Sequence, residues 1–111
     1  MSQHATPPSD AGDAFCASGA ADRIDAVLTL AEVASKREDR VGLVRQTTRL
    51  LQISKGAPVG APCAVDALDY VSGLWASNAL PGGADEVRRI RSFQRRNELR
   101  IRDLDGIRPG S

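Results

Sequence analysis

Cysteine is scarce in this chain: Cys16 and Cys63 are too few for a disulfide framework and lack the paired spacing of a zinc site. On that ground a reducing cytoplasm is the expected setting. Histidine is scarcer still. The single one, His4, lies near the N-terminus, so the body of the chain offers no imidazole for general acid–base chemistry. Neither GxxxxGK[ST] nor GxGxxG occurs, which removes the usual nucleotide-binding loops. No run approaches the roughly 18 apolar residues of a membrane span, and no basic stretch followed by an apolar one opens the chain, so neither a spanning helix nor a signal peptide is expected. An excess of one charge is missing too. The 15 Lys+Arg stand against 14 Asp+Glu, a formal net charge of +1, short of the basic balance of a dedicated nucleic-acid binder. The expectation from these absences is a protein that is not an enzyme and holds no cofactor or metal.

What is present is alanine, glycine and arginine. Thirteen of the fifteen basic residues are arginine, a composition that fits GC-rich codon usage and a bacterial source. At 111 residues the chain makes one domain with a modest core, for which association into a homodimer is the natural supplement.

Residues 1–18 are rich in Ser, Pro, Ala, Gly and Asp, with Phe15 their one sizeable apolar group, and so read as a flexible tail that cannot offset the entropy of ordering. The helical domain is expected over 19–104, followed by a frayed C-terminus over 105–111. Four amphipathic helices are expected within it, an all-α small bundle. The first, 20–34, places Ile24, Val27, Leu28 and Ala31 at helical spacing, with Ser18 as a candidate N-cap. The second, 40–55, carries Leu43, Val44, Leu50 and Leu51 and ends at Gly56, where a left-handed residue is expected. As one continuous rod their apolar stripes would point roughly 170° apart. A break is therefore expected within 35–40, where Ser35 and Glu38 also have the spacing of a capping box.

After the Gly- and Pro-containing loop 56–62, Pro62 suits the first turn of a third helix, 62–80. Its apolar arc of Ala64, Val65, Leu68, Val71, Leu74, Trp75 and Ala79 is wide enough to touch more than one neighbour, within one chain or across a dimer. Leu80-Pro81-Gly82-Gly83 stops it, and the fourth helix, 84–103, opens with Asp85 and Glu86 at its positive end.

That fourth helix has the most distinctive pattern. Val87, Ile90, Phe93, Ile101 and Leu104 fall within about 120° of one another, while Arg88, Arg89, Arg91, Arg95, Arg96, Arg100 and Arg102 lie outside that sector. Asp85 can reach Arg89, and Glu98 can reach Arg102, at i,i+4. Arg88, Arg91 and Arg96 are left without an acidic neighbour at helical spacing, and Leu99 projects into the basic face near Arg88 and Arg95. Guanidinium groups pair bidentately with carboxylates or phosphates. Arg88, Arg91, Arg95, Arg96 and Leu99, with Tyr70 toward the polar side of the third helix, are the expected partner-binding residues.

Three partners could meet such a face. The order helix, short turn, basic helix loosely resembles a helix-turn-helix and makes a DNA-binding transcriptional regulator the alternative. Its apolar side is better used in the core than at a membrane. Another protein is preferred, giving a small protein-binding regulator, adaptor or chaperone, for example an antiactivator that sequesters a transcriptional regulator. Trp75 is read as core, Cys63 as an ordinary helix residue although it sits near a helix start, and Asp66 and Asp69 as surface charge rather than a cation site, able to pair with the basic fourth helix within one chain or across a dimer.

Overall fold

The computed structural model describes residues 9–97 and 99 of the chain. Among these, five α-helices follow in order: α1 (Ser9–Phe15), α2 (Ala21–Lys36), α3 (Arg40–Ser54), α4 (Pro62–Ser77) and α5 (Gly83–Arg96). A wide π turn, Cys16–Ala20, joins α1 to α2. No strand occurs among the described residues, and the all-α bundle expected from the periodicity is the fold.

Helices α2 and α3 are the first and second helices of the sequence reading, and the break between them falls where the phase argument requires. Glu38 adopts φ 56°, in the left-handed region, and reverses the chain. The cap differs from the expected box. Asp39, not Ser35, is the N-cap of α3, and its carboxylate accepts a hydrogen bond from the Gly42 N–H at 3.0 Å. Such a cap satisfies one of the donors that the first turn leaves unpaired. The three-residue connection folds α3 back along α2, and this pair makes the most extensive contact in the fold.

Helix α4 starts at Pro62 as expected and runs through the middle of the bundle, touching α2, α3, α5 and the π turn. Most of its wide apolar arc is covered within one chain, with Val65, Leu68, Val71 and Trp75 buried and Leu74 half-buried, while Ala79 lies past the end of the helix and is exposed. The indole N–H of Trp75 donates to Thr47 Oγ1 at 3.0 Å, and that hydroxyl donates to the Leu43 carbonyl at 2.8 Å. A buried indole thus has its one polar atom paired, and the chain of two bonds ties α4 to α3.

Several boundaries differ from the sequence reading, each for a local reason. Gly56 does not take the left-handed conformation; among the described residues the positive-φ glycines are Gly19, Gly60 and Gly82. Helix α4 ends at Ser77 because Asn78 turns extended and its side chain accepts the Leu80 N–H at 2.9 Å. Gly83 lies so close to the Trp75 carbonyl that a Cβ there would sit 2.8 Å from it, which explains glycine at the start of α5. Ser18 does not cap α2: its hydroxyl donates backward to the Phe15 carbonyl at 2.7 Å.

The N-terminal part departs most from expectation. The segment 9–20, read as tail up to residue 18, is helical apart from a kink at Gly19, where φ is 108°, and Phe15 packs against the core. Two close approaches hold it. A Cβ on Gly12 would meet the Ala61 Cα at 2.8 Å, so α1 lies directly against the start of α4. Cys16 is joined to Cys63 in a disulfide, with Cα atoms 6.0 Å apart, well inside the range a bridge requires. The expected C-terminal fray over 105–111 and most of the fourth helix beyond Arg96 lie outside the described residues.

Candidate protein-binding surfaces

The arginines of α5 do not form the open face that a helical projection implies. Arg88, expected to lack an acidic neighbour at helical spacing, pairs with Asp85 three residues back. The Arg89 guanidinium meets Glu86 at 3.0 Å and also donates to Thr48 on α3 at 3.2 Å. Arg91, which has no acid at helical spacing, finds Asp69 on α4 at 2.8 Å. Gln94 closes that group: its carbonyl accepts from Arg91 at 2.8 Å while its amide donates to Asp69 at 3.1 Å. Three side chains from two helices therefore satisfy one another and lock α5 onto α4.

What stays available on α5 is its C-terminal end. Arg95 donates only to Ser92 Oγ, at 3.3 Å, and Arg96 makes no ion pair or side-chain hydrogen bond among the described residues. Both are exposed, and both sit where a helix dipole favours cations. Leu99 is corrected outright. The helix stops at Arg96, the chain turns through Asn97, and Leu99 becomes fully buried, its N–H donating to the Gln94 carbonyl at 2.6 Å. Its apparent place in the basic face came from extending the helical phase past a point where the helix has ended. Tyr70 is 40% exposed on α4, one residue from the Asp69–Arg91 pair, as expected.

A second surface was not singled out from the sequence. Between α2 and α3 lies a groove of about 350 Å³, with Ala26, Val27, Leu30 and Ile53 as its apolar lining. Arg23, Arg49 and Gln52 complete it. Leu30 is 48% exposed and Val33, one turn further along the same side of α2, is 41% exposed. Arg45 stands one turn before Arg49 on α3 and is also exposed. Arg23, Arg45 and Arg49 have no ion pair or side-chain hydrogen bond among the described residues, in contrast to the arginines in the first half of α5. Two of the three acids of α2 face away from this side: projected around the helix, Asp25 and Glu32 lie about 140–160° from Leu30, whereas Asp22 stands at its flank, about 80° away.

This groove was legible in part. The helices were, and so was the arginine row of α3. The exposure of Leu30 was not, because Leu30 lies at the border of an apolar stripe and only the angle at which α3 packs decides which border is left open.

The other residues weighed for chemistry have structural roles. Cys63 is consumed in the bridge, and Asp69 in the pair with Arg91. Among the described residues no cluster of His, Cys, Asp or Glu could hold a metal ion, and no helix is long and apolar enough to cross a membrane. Comparison with protein-family models, with curated proteins and with solved structures returns no significant match.

Proposed function

We propose that this chain is a small protein-binding regulator or adaptor, of the kind that sequesters a transcriptional regulator through helix-face contacts. The observation that carries this reading is the α2–α3 groove, where exposed apolar side chains lie beside guanidinium groups that have no ion pair or side-chain hydrogen bond among the described residues. Apolar anchors supply affinity, and flanking arginines supply orientation and encounter rate. A DNA-binding reading through α5 has less to draw on, because Arg88, Arg89 and Arg91 are already engaged with carboxylates.

Affinity capture of the full chain from its native cells, beside a Leu30→Glu variant, tests the proposal. The expected result is a stoichiometric protein partner that survives repurification of the complex and is lost with the variant. Salt-sensitive binding to random duplex DNA, abolished by Arg95→Ala and Arg96→Ala, together with no retained protein, would replace this reading with the DNA-binding one. A cytoplasmic setting, the expectation from low cysteine content, requires that the Cys16–Cys63 pair be reduced in the cell. A Cys16–Cys63 bridge that survives rapid alkylation of intact cells would move it to an oxidising compartment.

A further inference from the structure

We infer that the α2–α3 groove takes a short, acidic amphipathic helix of another protein, an assignment that rests on the protein-binding reading and names the chemistry of the partner. Shape comes first. The exposed row from Arg23 through Leu30 to Val33 runs along one side of α2 for about 15 Å, which matches three turns of a docked helix. Two packed helices with a furrow between them accept a third helix by its apolar stripe, with anchors at i, i+3, i+4 and i+7. An extended strand would leave its backbone groups unpaired here, since no sheet edge is present among the described residues.

Charge selects the sign. Arg49 and Arg23 line the furrow from its two helices, and the exposed Arg45 stands one turn before Arg49 on α3. The acids at Asp25 and Glu32 point to the far side of α2, so they do not neutralise these groups. An arginine left without a carboxylate beside exposed leucine and valine is complementary to a partner that presents glutamate or aspartate next to its own apolar stripe. A phosphate backbone would satisfy the arginines but not cover Leu30, Val33 and Ile53. That distinction favours a protein helix over a nucleic acid.

The test uses the full chain and a fluorescein-labelled synthetic peptide of about four turns, with leucine at i, i+3, i+4 and i+7 and glutamate on the flanks. A counterpart carrying lysine in place of glutamate, and a short random DNA duplex, are titrated in parallel by fluorescence anisotropy. The acidic peptide is expected to bind with a Kd on the order of 10 µM, as befits a small interface, and the lysine peptide at least about tenfold more weakly.

Arg45→Glu with Arg49→Glu is expected to weaken binding about tenfold at about 50 mM salt and by less at about 300 mM. Leu30→Glu weakens it about tenfold at both. All three positions are exposed, and far-UV circular dichroism with Trp75 emission verifies the fold of each variant; should Leu30→Glu not fold, Leu30→Ser with Val33→Ser replaces it.

The inference is overturned if the lysine peptide binds as well as the acidic one, or if binding ignores these substitutions. It is overturned in favour of nucleic acid if the duplex binds through Arg45 and Arg49 while the peptide does not. A solution mass that doubles with concentration and returns to monomer with Leu30→Glu would assign the groove to a second copy. Capture of a cellular partner through Leu30 without binding of the acidic peptide would leave the protein-binding reading standing and remove this one.

Discussion

Reducing the Cys16–Cys63 bridge, or replacing both cysteines with serine, is expected to lower the stability of the protein by an amount that the loop length sets. The bridge closes a loop across 47 residues, and the chain-entropy relation gives about 4 kcal/mol for a loop of that size. A domain of this length has a total stability of about 5–15 kcal/mol, so the bridge accounts for a large share of it. The native contacts temper that figure only slightly. The segment that the bridge pins, 9–20, also packs through Phe15 and the close approach of Gly12 to Ala61. Those contacts persist when the sulfurs are released.

Urea unfolding followed through the emission of the single tryptophan, Trp75, reads the effect directly. With a slope of about 2 kcal/mol per molar urea, the midpoint falls by about 2 M on reduction, and the reduced protein stays folded at low denaturant. Thiol titration of the denatured, unreduced protein is expected to find none. Two free thiols in protein purified under oxidising conditions, or a midpoint that does not move with reductant, would refute the reasoning. Limited proteolysis adds a spatial check: cleavage within 9–20 is expected to accelerate on reduction while α2–α5 stay protected.

Other expectations follow from single contacts. Thr47→Val removes the acceptor of the buried Trp75 N–H and is expected to cost about 1–3 kcal/mol by thermal or urea unfolding. Glu38→Gly relieves a left-handed backbone position that costs other residues about 1–2 kcal/mol, and is expected to raise stability by up to about 1 kcal/mol after the added entropy of glycine in the unfolded chain. Leu99→Ala is expected to cost about 2–4 kcal/mol because the side chain is fully buried, whereas Arg96→Ala stays within about 0.5 kcal/mol. Gln46→Met, which removes a buried side-chain oxygen that accepts no hydrogen bond among the described residues, is expected to be neutral or mildly stabilising in the same assay.

The helices were readable because each one states its own phase. Ile24, Val27 and Ala31 face inward on α2, and Leu43 and Leu50 on α3, so that a single rod was excluded and the turn at 37–39 followed. The wide arc of α4 marked it as a helix with more than one neighbour before any contact was known. The docking of 9–20 was not readable. Its sequence is poor in apolar groups, and what holds it is a bridge to Cys63 and a Gly12–Ala61 approach that depend on residues far along the chain. Two cysteines are few for a framework, yet they suffice for one bridge, and spacing alone does not reveal whether a fold brings them within 6.0 Å.

The same limit governs the basic surface. A helical projection counts charges on one element, but the availability of an arginine depends on what the neighbouring elements bring to it. Arg91 has no acid at helical spacing on α5; its carboxylate, Asp69, comes from α4, twenty-two residues away, the pairing that an acidic third helix beside a basic fourth allows. Arg45 and Arg49 read as the ordinary polar side of α3, yet no acid among the described residues pairs with them. Density of charge in the sequence therefore ranks these two helices in the opposite order from the charge that remains unpaired. An exposed pair such as Arg88–Asp85 is worth at most about 1 kcal/mol, and a partner could displace it, but it would have to replace a carboxylate already in place. At Arg45 and Arg49 an incoming carboxylate displaces only water, and the adjacent Leu30 and Val33 gain from burial in the same event. That coupling of unpaired charge to exposed apolar surface, rather than the number of arginines, is the physical reason to place the partner on α2 and α3.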